Sequence, residues 1–133
     1  MLCYLYMKRL GIDYGTKKVG LAITNDDGTM AFPHKVIPND TKLLETLEAV
    51  VEKEGIDEIV IGQSLDGNNA PNAAQAGVEA LMTDLTLQLG VPIHLEPEQY
   101  TTQAALRTQG RNDMTDASAA ALILDSYISK LSN

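Results

Sequence analysis

At 133 residues and 44% hydrophobic content, the chain has the size of a single domain and enough apolar surface for a core without covalent or metal staples. Its one cysteine, Cys3, excludes an internal disulfide framework and a cysteine zinc cluster, which fits a reducing, cytoplasmic compartment better than a secreted one. The formal charge of −8 excludes broad electrostatic attraction to phosphate backbones, so any phosphate-binding site has to be local.

No apolar stretch approaches the roughly 18 to 20 residues of a transmembrane helix. In MLCYLYMKRL the basic residues follow the apolar run, the reverse of a signal peptide. A soluble protein with no membrane partner is expected. Met7, followed by Lys8 and Arg9, has the form of a second start, which makes residues 1–6 an N-terminal extension with no role in the fold.

Residues 7–14 carry a strand pattern that ends at Gly15, and KVGLAITN resumes after a tight Gly-Thr-Lys turn, so the two form a hairpin. MAFPHKVI supplies a third strand, with Pro33 assigning it to an edge or an irregular position. In NDTKLLETLEAVVEKEG the period changes: Leu43, Leu44, Leu47, Val50 and Val51 recur at helical spacing, Asp40 or Thr41 caps the start, and Gly55 marks the stop. DEIVIGQSL, with Ile59, Val60 and Ile61, suits a central parallel strand buried on both faces. The turn-rich DGNNAPNAAQ follows, and a second helix runs from Asn72 to near Gly90. VPIHLEPE is a further strand and TTQAALRTQGR a short helix. Thr115 caps a last helix whose Ala117, Ala120, Ala121, Leu124, Tyr127, Ile128 and Leu131 form one apolar stripe. This order, βββαβαβαα, predicts a mixed sheet covered by helices, with ligands gathered beyond the carboxyl ends of its parallel strands.

Asp13 is the anomaly in this pattern, a carboxylate within a strand of apolar residues. Alone, such an aspartate is most simply a turn former. Two further acids occur where the topology can bring them to it: Glu98, just after the fifth strand, and Asp116, at the mouth of the last helix. Clustered carboxylates repel one another without a cation, and oxygen ligands suit a hard divalent ion such as magnesium or manganese. Two such ions, roughly 3.5 to 4 Å apart, can activate a water and stabilise the leaving oxygen of a phosphodiester. Asp113 and Glu96 are alternatives for a further ligand position. His34 and His94 lack metal-ligand spacing and read as structural. No GxxxxGKS/T, GxGxxG or GxSxG motif is present.

Together GIDYGTKKVGLAIT, IVIGQSLDG, EPEQYTT and TDASAAALILDSYI resemble the four motifs of the bacterial YqgF family, over about Lys8 to Tyr127. The resemblance implies one ribonuclease-H-like domain over 1–133, a three-layer α/β fold with a five-stranded sheet ordered 3-2-1-4-5 and strand 2 antiparallel. It also implies a divalent-metal-dependent nuclease, acting in 5′-end maturation of pre-16S ribosomal RNA or as a Holliday junction resolvase on four-way DNA. By motif position the three catalytic and metal-binding carboxylates fall on Asp13, Glu98 and Asp116. Asp13 would bridge the ions, and Thr16, Lys17, Lys18, Arg107 and Arg111 would contact phosphates of structured RNA or branched DNA. Monomer and homodimer both remain open.

Two departures weigh on this expectation. Where the family reads Asp-Glu-Arg-Leu-Thr-Thr, this chain has Pro97-Glu98-Gln99-Tyr100-Thr101-Thr102, which removes an arginine able to hold a phosphate. QGRNDMT is shorter and poorer in lysine than the corresponding loop of relatives. A non-catalytic nucleic-acid-binding module of the same fold is therefore an alternative. The Asp-Tyr-Gly-Thr hairpin also resembles the first phosphate motif of actin-like ATPases and sugar kinases, but those clamp nucleotide between two related domains and this chain has the length of one.

Overall fold

The computed structural model describes residues 7–15, 17–63, 74–97 and 115–131. In chain order these form β1 (Arg9–Tyr14), β2 (Lys18–Thr24), β3 (Ala31–Pro38), α1 (Leu43–Glu54), β4 (Glu58–Gln63), α2 (Ala74–Leu89), β5 (Ile93–Pro97) and α3 (Thr115–Leu131). The five strands make one sheet in the order β3-β2-β1-β4-β5. β2 is antiparallel to β1 and to β3, while β1, β4 and β5 run parallel. This is the mixed sheet of the ribonuclease-H-like fold. The expected short helix over TTQAALRTQGR lies outside the described residues.

Each strand sends alternate side chains to opposite faces, and two cores result. On one face Leu10, Ile12, Val19, Leu21, Ile59 and Ile61 pack with Leu43 and Leu47 of α1 and Val78, Leu81 and Leu85 of α2. On the other, Ala22 and Val60 pack under Ala120, Ala121, Ile123 and Leu124 of α3. β4 is thus buried on both sides, as its unbroken Ile-Val-Ile run requires. β3 lies at the sheet edge, the position Pro33 suits, and the β2–β3 register shifts between Leu21 and Ala22, the latter paired with Pro33.

The helix α1 begins later than its capping signals suggest. Asp40 makes a turn ahead of it, its Oδ1 accepting from the Lys42 N–H at 2.9 Å and its carbonyl from the Leu43 N–H at 3.1 Å. Lys42 occupies the cap position with no side-chain cap bond, so neither Asp40 nor Thr41 is the cap. The stop is as expected: Gly55 takes the left-handed conformation at φ 67°.

The approach of α3 to the sheet depends on Gly11. A Cβ at that position would lie 2.6 Å from Leu124 Cγ and 2.9 Å from the Ala120 carbonyl oxygen. The helix sits this close because β1 has no side chain there.

Candidate functional site

Asp13 shares the α3 face of β1. Leu10 and Ile12 belong to the opposite core and Gly11 lies against α3, so the side chain two residues beyond Gly11 projects to the Gly11 side. Its neighbours in the sheet are glycines. Gly20 is its partner on β2, and continuing the β1–β4 register one residue past Ile12–Ile61 sets Gly62 beside it. Asp13 is thus a half-buried residue near the carboxyl end of a parallel strand, faced by glycine on both neighbouring strands.

Glu96 lies in the same row, paired with Gly62 across β4 and β5, about 10 Å from Asp13 at two strand spacings. Its carboxylate is committed elsewhere. At 2% exposure, Glu96 Oε2 accepts from Ser126 Oγ at 2.7 Å and pairs with Lys130 Nζ at 2.7 Å. Glu96 therefore anchors the C-terminal half of α3 to β5.

Asp116 belongs to the first turn of α3. Ala120, one turn later, supplies the carbonyl that abuts Gly11. Asp116 is thus about 6 Å of helix rise from the point where α3 meets β1, and Asp13 is about 6.6 Å along β1 from the same point. Lys17 and Lys18 are exposed on the turn that follows Asp13. Thr16, Glu98, Arg107, Arg111 and Asp113 lie outside the described residues. Among the described residues no group of three or more His, Cys, Asp or Glu is gathered as a metal site, and no helix is long and apolar enough to cross a membrane.

The opposite end of the sheet holds a polar cluster with no local sequence signal. Arg9 and Glu58, partners in the β1–β4 register, form a buried ion pair. The Arg9 N–H donates to Thr24 Oγ1 at 2.9 Å. His94 Nε2 lies 3.1 Å from Glu58 Oε2, its ring stacks on Tyr127 at 5.2 Å, and the Arg9 guanidinium sits 5.7 Å from the Tyr127 ring centre. Burial, and next the Glu58 charge, push the Tyr127 phenol above its ordinary 10.0. His94 is thus structural. His34, on β3, is pushed below its ordinary 6.5, chiefly by burial and further by Lys35, Lys53 and Lys8, against the opposing pull of Glu54.

Comparison with known proteins agrees with this architecture. A family model described as "RuvX: Holliday junction resolvase" matches residues 7–130. A protein of Maridesulfovibrio salexigens named "Putative pre-16S rRNA nuclease" is 35% identical, with 93% of this chain and 99% of that protein covered. A Rickettsia akari protein of the same name is 30% identical, over 93% of this chain and 87% of its own. Among solved structures, Thermus thermophilus RuvC in complex with a Holliday junction substrate superposes with a TM-score of 0.62 at 15% identity, covering 94% of this chain and 96% of that one. The fowlpox virus Holliday junction resolvase gives 0.58 at 14%, covering 93% and 99%. The structural likenesses carry the fold, and the sequence matches carry the family: the chain belongs to the RuvX, or YqgF, family of nucleases.

Proposed function

We propose that the protein is a divalent-metal-dependent nuclease that matures the 5′ end of pre-16S ribosomal RNA in the cytoplasm. The observation that carries this reading is Asp13, an acid near the carboxyl end of a central strand, flanked by Gly20 and Gly62, in a chain whose relatives bear the pre-16S nuclease name. The donor set fits a hard cation: Asp13, Glu98 and Asp116 offer carboxylate oxygens only, as magnesium or manganese prefers. Such an ion, when bound, supplies a water nucleophile at neutral pH and stabilises charge on the phosphodiester.

The chain's own residues do the rest. Asp13, Glu98 and Asp116 would hold the ion, Asp13 from a strand position faced by Gly20 and Gly62. Lys17 and Lys18, with Thr16, Arg107 and Arg111, contact the phosphates on either side of the scissile bond and fix its orientation. With a net charge of −8, affinity rests on these few cations and falls steeply with salt.

A second reading, resolution of four-way DNA, is favoured by the family description and by the solved RuvC–junction complex. It requires a two-fold dimer presenting one site to each of two strands. The deciding assay compares end-labelled precursor RNA with four-way DNA junctions, in magnesium or manganese and in chelator. Metal-dependent shortening of the RNA flank supports the first reading, and paired symmetric nicks in the junction support the second. Failure to cleave either, with metal bound, overturns both in favour of a binding module.

A further inference from the structure

The β1–β2 turn is braced from outside by one residue. Asn39 directly follows Pro38, the last residue of β3. Its main-chain N–H donates to the Lys17 carbonyl at 2.9 Å, and its side-chain Nδ2 donates to the Gly15 carbonyl at 2.8 Å. The two accepting carbonyls flank position 16. A single residue on the neighbouring strand end therefore holds both arms of the turn that starts two residues after Asp13 and carries Lys17 and Lys18. Only an amide or another donor can serve at the side-chain position, because the Gly15 carbonyl accepts and never donates. Gly15 itself has no room for a side chain: a Cβ there would lie 2.5 Å from the Lys18 carbonyl oxygen.

We infer that Asn39 is a positioning residue for the nuclease site, fixing the phosphate-contacting turn relative to Asp13 through its paired bonds to Gly15 and Lys17. The inference rests on the nuclease reading above. Asn39 adds no charge to the site, which sets its signature apart from that of the lysines. Loosening the turn leaves the number of neutralised phosphates unchanged, and with it the slope of affinity against salt. It disturbs alignment, to which the chemical step is far more sensitive than binding.

The test uses Asn39→Ala and Asn39→Asp in the full chain. Both keep the main-chain bond, and the aspartate opposes an acceptor to the Gly15 carbonyl. Binding of a labelled precursor RNA is measured in calcium across a salt series, and single-turnover cleavage in magnesium at saturating RNA. The expected result is a cleavage rate about tenfold lower in Asn39→Ala, lower still in Asn39→Asp, with RNA affinity within about threefold of wild type and an unchanged salt slope. Cleavage rates within twofold of wild type in both variants overturn the inference, as does a rate loss that vanishes at a temperature where the variant is fully folded. If the wild type itself does not cleave, the nuclease reading fails separately, and hydrogen exchange decides the brace. Amides of residues 15–18 exchanging about tenfold faster in Asn39→Ala uphold it, and unchanged exchange overturns it.

Discussion

Replacing Gly11 by alanine puts a methyl group into the closest approach between sheet and helix. The new Cβ would lie 2.6 Å from Leu124 Cγ and 2.9 Å from the Ala120 carbonyl oxygen, whereas relaxed carbon–carbon contacts sit at about 3.5–4.0 Å. Leu124 has to yield by about 1 Å, and it is fully buried. The Ala120 carbonyl is helix backbone and cannot rotate away, so α3 must lift. Overpacking of this kind costs about 1–3 kcal/mol, offset by about 0.5–1 kcal/mol because alanine loses less backbone freedom than glycine. The net expectation is a loss of about 1–2 kcal/mol, which for a chain of this size lowers Tm by roughly 3–8 °C. Urea unfolding followed by fluorescence and circular dichroism measures it. Leu124→Ala alone should cost about 2–5 kcal/mol through the cavity it leaves, but in the Gly11→Ala background the removed side chain relieves the clash. The double variant should then be more stable than the sum of the singles by at least ~1 kcal/mol. A Gly11→Ala protein as stable as wild type, or strictly additive effects, would refute the close-packing argument.

Three other perturbations test the polar anchors and the charge on the edge strand. Glu58→Ala takes the carboxylate away from the buried Arg9 guanidinium and should cost about 3–5 kcal/mol in denaturant unfolding, while Arg9→Met added to it should recover part of the loss. Lys130→Met takes the ammonium away from the buried Glu96 carboxylate, which keeps the Ser126 hydroxyl, and should cost about 1–3 kcal/mol, with hydrogen exchange rising in the last turns of α3. His34 titrates below its ordinary 6.5 in the folded protein, so the unfolded chain binds the proton first as pH falls. Its contribution is complete above about pH 6.5 and is lost as pH drops through that value toward the lower folded pKa. His34→Gln should flatten the slope of stability against pH in that window, and an unchanged slope would assign the dependence to other groups.

The strands and helices were readable because their patterns are local. β1 alternates, β4 is an unbroken apolar run, and α1 repeats at 3.6 residues before a glycine that takes positive φ. The start of α1 differs from its sequence signal because Asp40 can equally well cap a helix or close a turn, and only the backbone path distinguishes them. Asp13 stood out as an acid inside an apolar strand. That its side chain shares a face with Gly11, between Gly20 and Gly62, follows from register and needed the sheet. The Arg9–Glu58 pair joins residues 49 apart and the Glu96–Ser126 bond residues 30 apart, separations at which no sequence pattern marks a partner. Glu96 illustrates the consequence: beside Glu98 in sequence it resembled a spare ligand, and in the fold it anchors a helix.

The central claim is that Asp13 serves a bound ion and not the core. Magnesium-dependent cleavage of precursor RNA by wild type and Asp13→Asn, each with its unfolding curve, tests this most directly. The account predicts that Asp13→Asn loses cleavage by at least about 100-fold while its stability stays within about 1 kcal/mol of wild type, since asparagine keeps the shape of the half-buried Asp13 side chain. Retained metal-dependent cleavage in Asp13→Asn, or a loss of activity explained by unfolding, would contradict it.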